Sequence, residues 1–299
     1  MPFAVISLGL LSALTWGLGD FGGGFVSRRA PVAGVLLLSQ LFGAALSLAV
    51  AAGLREPAPP AADIGWALAS SLGGALGLSC LYIGLARGRM GVVAPVTGVL
   101  VAAIPAVAGV ALQGVPPVAV LGGIALAIAS VVVVSRVGDA RDGRPSGLRW
   151  GVAAGLALGA VTLTLSRISA GLVFGPLTLM RLGEAVLIGA VIAVTGVRHR
   201  AATRTVEPRS GAGAIPWRVP RRLWPAVAAI GTCDMLGTAF YIAATQAGPL
   251  AIAGVLSALY PVTTVVLAVA ILRERLASWH LVGVAMAAIA IVLITAGAA

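Results

Sequence analysis

Four ionisable side chains lie inside long apolar runs of this sequence: Asp20, Arg181, Glu184 and Asp234. At bilayer depth such a group costs about 3 kcal/mol on insertion scales, so it persists where it faces a protein interior and has a task there. A carboxyl in that setting can carry a proton or hold a cation. Asp234 is followed by Thr238, Tyr241 and Thr245 at i+4, i+7 and i+11, a polar stripe on one helix face. The stripe is either the wall of a solute cavity or an interhelical hydrogen-bonded strut. As a cavity wall, it would make Asp234 a proton carrier or the partner of a cationic part of a substrate. Arg181 and Glu184 stand at i and i+3 and can pair with each other, for structure or for function. Asp20 follows Trp16 by one helical turn, and Gly19 and Gly23 beside it allow a neighbouring helix to come close. It reads either as an interfacial acid or as a functional one. Ser257, Tyr260 and Thr264 share a face around Pro261, and Thr97 lies between Pro95 and Pro105. A proline frees a backbone carbonyl, which binds solute or ion where a cavity is present and otherwise marks a packed kink.

Enzyme chemistry finds little support. The two histidines, His199 and His280, fall in different loops. No metal-ligand spacing, nucleophile elbow or phosphate loop occurs. The run Phe21-Gly-Gly-Gly sits in an apolar segment without the strand and helix that phosphate binding needs. No catalytic residue, metal or cofactor is expected. Cys80 and Cys233 lie in apolar runs and read as small packing residues.

The elements that hold these residues follow from composition. The chain has 299 residues, 60% hydrophobic and 10% charged, against roughly 25% charged in soluble domains. One globular core cannot hide that much apolar surface, so most of it must face lipid. Apolar runs of spanning length lie near 3–26, 31–53, 64–86, 90–112, 115–135, 148–170, 174–196, 223–247, 249–272 and 278–297. The first lacks the positive n-region of a cleaved signal peptide and is expected to remain as a membrane helix. The net charge is +11, all of the basic residues being Arg. The arginines cluster between apolar runs without interleaved aromatics, so no nucleic-acid partner is expected.

Seventeen arginines fall in alternate loops: 28–29, 87–89, 136–149, 198–222 and 273–275. The opposite loops carry only Arg55, with Arg167 and Arg181 assigned to helices. The positive-inside rule puts the Arg-rich loops in the cytoplasm and both termini outside. The two halves also resemble each other. Ser27-Arg28 matches Ser166-Arg167, Gln40 matches Arg181 within similar surroundings, and Tyr82-Ile83 matches Tyr241-Ile242, at offsets of 139, 141 and 159. Five helices per copy is an odd number, so a second copy must insert upside down. The expected organisation is a repeat at 1–135, a linker at 136–147 and a second repeat at 148–299.

The stretch 248–276, with Tyr260-Pro-Val-Thr-Thr-Val and the following Arg273-Glu-Arg-Leu, resembles the EamA domain of the drug/metabolite transporter superfamily. Ala13-Leu-Thr-Trp-Gly resembles that family's first-helix motif. In the first half, Gln113-Gly114 stands where the family usually has Gly-Glu. The resemblance implies an all-α integral membrane protein of ten transmembrane helices in two inverted five-helix repeats. Helices 1, 3, 4, 6, 8 and 9 would surround a central cavity. Many members are cytoplasmic at both termini, whereas the Arg count of this chain says the reverse, and the Arg count is retained here.

The expected function is secondary transport of a small organic metabolite or drug across the plasma (inner) membrane by alternating access, with a proton as one coupling ion. A membrane-embedded enzyme on a lipid-linked substrate and a passive channel are the alternatives. Expected partners are a small-molecule substrate and the lipid bilayer. A homodimer is an assembly the sequence leaves open.

Overall fold

In lipid a backbone must satisfy its own N–H and C=O groups, so a long apolar run becomes a helix. The computed structural model describes residues 2–87, 90–134, 147–203 and 217–272, with ten further residues between Trp279 and Gly297. Its helices are α1 (Pro2–Ser27), α2 (Val32–Leu54), α3 (Ala61–Arg87), α4 (Met90–Gln113), α5 (Val118–Val134), α6 (Leu148–Leu165), α7 (Phe174–Thr203), α8 (Trp224–Ala247), α9 (Leu250–Ser257) and α10 (Tyr260–Leu272). A single 3-10 turn, Arg221–Leu223, leads into α8. No strand occurs among the described residues. Seven of the helices, α1 to α4 and α6 to α8, are long and apolar enough to cross a bilayer. At 1.5 Å per residue, a run of about 20 residues spans the hydrocarbon core.

Three boundaries differ from expectation. The ninth apolar run is not one helix but two, α9 and α10, parted at Ala258 and Leu259. Pro261 explains the break, since it has no N–H for the Ser257 carbonyl and its ring crowds that carbonyl. α7 continues to Thr203, past the expected end at 196. α6 stops at Leu165, so Arg167 lies exposed in the α6–α7 connection and joins Arg55 on the Arg-poor face. The asymmetry of the loops becomes seventeen against two. The run expected at 278–297 is represented by the ten described residues, all helical. The linker (residue 147 apart) and Arg273-Glu-Arg-Leu lie outside the described residues.

The bundle turns its large apolar side chains outward. Leu72 and Val186 are 65% and 70% exposed, whereas Ser47, Ser71 and Thr97 are buried. In water that arrangement would cost stability, but against lipid it costs nothing, and the buried hydroxyls are free to bridge helices. Ser12 donates to the Gly237 carbonyl (2.8 Å), joining α1 to α8. Ser71 donates to the Met180 carbonyl (2.9 Å), joining α3 to α7. Thr97 donates to the Gly151 carbonyl (3.1 Å), joining α4 to α6.

Helix neighbours follow a pattern. α1 packs along α8, α9 and α10; α3 packs along α6 and α7; α2 packs along α7 and α8; α4 packs along α6 and α9. Small residues permit the closest crossings. At Gly231 of α8 a Cβ would collide with the Ser39 carbonyl of α2.

The Arg-poor end is tied together by polar contacts. The Glu56 carboxylate accepts from the amides of Val173, Phe174 and Gly175, capping the start of α7. It answers both the free amides and the positive end of the helix dipole there. Asp63 accepts from the Ser169 amide and hydroxyl. Gln246 donates to the carbonyls of Ser169 and Leu172.

Candidate functional site

The site begins with Arg181. It is 1% exposed and is one of the largest fully buried side chains of the described residues. α7 projects it toward α2 and α8. Nη1 faces three acceptors: Gln40 Oε1 at 2.9 Å, Glu184 Oε2 at 3.2 Å and Asp234 Oδ2 at 2.5 Å. Nη2 donates to the Asp234 carbonyl at 3.0 Å and to Thr238 Oγ1 at 2.6 Å. Nη1 carries two hydrogens, so three acceptors must share them. The i,i+3 pairing of Arg181 with Glu184 is therefore present, and the guanidinium also reaches across to Asp234, which residue spacing could not reveal.

Thr238 relays the cluster to α1. Its hydroxyl donates to the Asp234 carbonyl at 3.0 Å and lies 3.3 Å from the Trp16 indole nitrogen. The Trp16 ring stacks on Tyr241 (centroids 5.6 Å) and meets Tyr260 edge-on (6.4 Å). Trp16 is thereby fixed between α8 and α10.

These groups border a partly open cavity, with about 520 Å³ of atom-free space in it and at its mouth. Its lining includes Trp16, Asp20, Arg181, Glu184, Asp234, Thr238 and Tyr260. Gly74 of α3, Val101 of α4 and four residues of α6 complete much of the wall. The helices implied by the resemblance all contribute, α10 standing for the ninth. α7 is an addition, and it brings the only cation of the lining among the described residues. Seven of the eleven residues singled out in the sequence thus meet at one place.

The other four lie outside the lining. Tyr241 is fully buried and donates to the Thr162 carbonyl at 2.9 Å. Thr245 turns back onto the Ile242 carbonyl of its own helix. Ser257 is buried in α9, and Thr264 bonds the carbonyls of Tyr260 (3.0 Å) and Gly17 (3.4 Å). A shared helix face does not mean shared depth: Tyr241 and Thr245 lie about 10 and 16 Å along the axis from Asp234. Gln40 carries no mark of the site in the sequence beyond its match to Arg181 between the halves.

Charge in the cavity is unbalanced. Three carboxyls (Asp20, Glu184 and Asp234) face one guanidinium. No donor among the described residues reaches Asp20. Glu184 Oε1 and the Tyr260 hydroxyl are buried without partners. Buried polar atoms in folded proteins nearly always have one, so each such orphan calls for an explanation. Among the described residues no cluster of His, Cys, Asp or Glu could hold a metal ion.

Comparison with known proteins follows the geometry. A solved structure titled only as the crystal structure of a protein superposes with a TM-score of 0.66 at 19% identity, covering 97% of this chain and 95% of that one. At that identity the likeness concerns the fold alone. No curated protein matches the sequence. The model of the EamA-like transporter family matches residues 145–296, about half of the chain. The chain belongs to the EamA-like transporter family and is a multi-pass membrane transporter of the drug/metabolite transporter superfamily.

Proposed function

We propose that the protein is a secondary transporter that moves a small organic molecule across the plasma membrane by alternating access through the Arg181–Asp234 cavity. Protons exchange at its carboxyls. The observation that carries this reading is the cavity itself: a buried guanidinium shared among carboxyls of two helices, with a further carboxyl left open. Such groups are retained at membrane depth where a solute or ion passes. The reading includes ten spans in two inverted repeats, 1–135 and 148–299, joined by 136–147.

The packing supports the inverted repeat. Exchanging α1 with α6, α2 with α7, α3 with α8 and α4 with α9–α10 maps the α1–α8 contact onto α6–α3, and the α4–α6 contact onto α1 with α9 and α10. Gln40 and Arg181, matched between the halves, touch each other, as residues on a two-fold axis must. A Cβ on Gly23 would collide with the Tyr82 ring, while Tyr241 bonds Thr162. Gly23 and Thr162 are 139 apart, as are Arg28 and Arg167. The family match starting at residue 145 agrees with the proposed second repeat.

The test is Asp234→Asn in proteoliposomes. The variant keeps an oxygen for Arg181 and loses the charge. It is expected to remain folded, to lose accumulation driven by a proton gradient, and to retain exchange of substrate across the membrane. Normal gradient-driven transport at every pH tested would show that Asp234 is a packing strut.

A further inference from the structure

We infer that the cavity takes a monovalent organic cation with an apolar body, held by the Asp20 carboxylate, the Tyr260 hydroxyl and the Trp16 indole. This rests on the transport reading of the same cavity and narrows its substrate class. Three observations point the same way.

First, the terminal nitrogens of Arg181 are taken; its Nε–H alone lacks a partner, and that atom is fully buried. Its two terminal nitrogens already meet five acceptors of the protein. A substrate carboxylate or phosphate would have to displace Glu184 or Asp234 from it, and would then meet the displaced carboxylate. The other charged groups of the lining are acids, which repel an anion and attract a cation.

Second, Asp20 is placed as a free counter-ion. It stands one turn from Trp16 on α1, about 6 Å along the axis, and both line the cavity. Asp234 and Glu184 have Arg181; Asp20 has no donor among the described residues. A carboxylate in a half-buried, mostly apolar wall needs an opposite charge, and a ligand ammonium supplies it.

Third, Tyr260 opens α10 just after the break made by Pro261, is 5% exposed and has a hydroxyl with no partner. Tyr260 lines the cavity, and its hydroxyl, closed off by the packing, accepts from an ammonium N–H once the wall gives way. One face of Trp16 is covered by Tyr241; the rest of its indole, the ring that favours cations most, lines the cavity. Leu78, Val101, Leu158, Val161, Leu165 and Met180 provide the apolar remainder of the wall. A hydrophilic cation would leave that surface wet, whereas a cation with an apolar body covers it.

The experiment uses the purified full-length protein in detergent micelles and three probes that share an aromatic body: phenethylamine (cation), phenylalanine (zwitterion) and 3-phenylpropionate (anion). Binding is read by isothermal titration. Phenethylamine is expected to bind at least tenfold more tightly than either other probe. Asp20→Asn is expected to abolish that preference, Asp20→Glu to keep it, and Tyr260→Phe to weaken the cation a few-fold while preserving the order. Phenylalanine or phenylpropionate binding as tightly, no binding of phenethylamine, or an unchanged preference in Asp20→Asn would each overturn the assignment. Should Asp20→Asn not fold, the order of the three probes on the unaltered protein still decides. Flux of the same probes into proteoliposomes separates the two readings. A cation that binds through Asp20 but does not cross upholds the site and overturns transport. A zwitterion that crosses while the cation does not upholds transport and overturns the site.

Discussion

Replacing Arg181 with Met keeps a long flexible side chain at the site and removes the charge. The structure sets the size of the effect. Glu184 is 0% exposed, with Oε1 already lacking a donor, and it would lose its partner at 3.2 Å. Asp234, whose side chain is 17% exposed, would lose its own, and Thr238 and Gln40 would each lose a donor. Breaking a buried ion pair from one side costs about 3–5 kcal/mol. The cost has a ceiling, because an abandoned carboxylate can take a proton. From an ordinary Glu reference value, that neutralisation costs about 4 kcal/mol near pH 7. Arg181→Met is therefore expected to lose about 3–4 kcal/mol, and less at pH 5.5, where taking up a proton costs less. Glu184→Gln alone keeps an acceptor for Arg181 and should cost about 1 kcal/mol. The double variant Arg181→Met/Glu184→Gln should then be more stable than Arg181→Met by about 2 kcal/mol, since the buried charge has gone. Equilibrium unfolding in mixed micelles, followed by helical circular dichroism, measures all four corners of the cycle. If the second substitution does not rescue the first, the guanidinium does not compensate Glu184 and the cluster has been misread.

Three further expectations can be checked together. A cysteine placed in the 204–216 stretch should resist an impermeant thiol reagent in intact cells, and one near Ala299 should react; the opposite labelling would invert the orientation and leave the helices standing. At Gly74 a Cβ would collide with the Glu184 carboxyl, so Gly74→Ala should cost about 1–3 kcal/mol and be eased by Glu184→Ala, read as a rise in micelle melting temperature of the double variant over the single. Glu56→Ala removes the cap that three amides of α7 share and should cost about 1 kcal/mol. Hydrogen exchange should speed up at 173–175 and not at the Arg181 cluster, and unchanged exchange at 173–175 would show that the cap is dispensable.

The membrane character of the chain was legible residue by residue. Lipid demands apolar runs of spanning length, and such runs leave a one-dimensional trace, as do the arginines that may not cross. The depth of Asp20, Arg181, Glu184 and Asp234 marked them for an interior role for the same reason. The Arg181–Glu184 pair could be read because a helix fixes i and i+3 as neighbours. The motif around Tyr260 carried the family because its proline and tyrosine occur at fixed spacing.

What the sequence could not determine is which helices meet. Periodicity gives a face, and a face runs the whole length of a helix. Only the crossing of α1, α7 and α8 selects the depth at which Trp16, Asp20 and Thr238 share a cavity while Tyr241 and Thr245 do not. The choice of partner for Arg181 belongs to the tertiary structure as well: Asp234 is 53 residues away and Gln40 is 141, and no local rule joins them. The split of the ninth run at Pro261 was announced by a residue type, but whether the proline bends or breaks a helix depends on what packs beside it. α1 and α4 pack against α9 and α10, so the break is buried within the bundle. Sequence set the solvent and the helices; packing decided that one carboxylate would be left without a partner among the described residues.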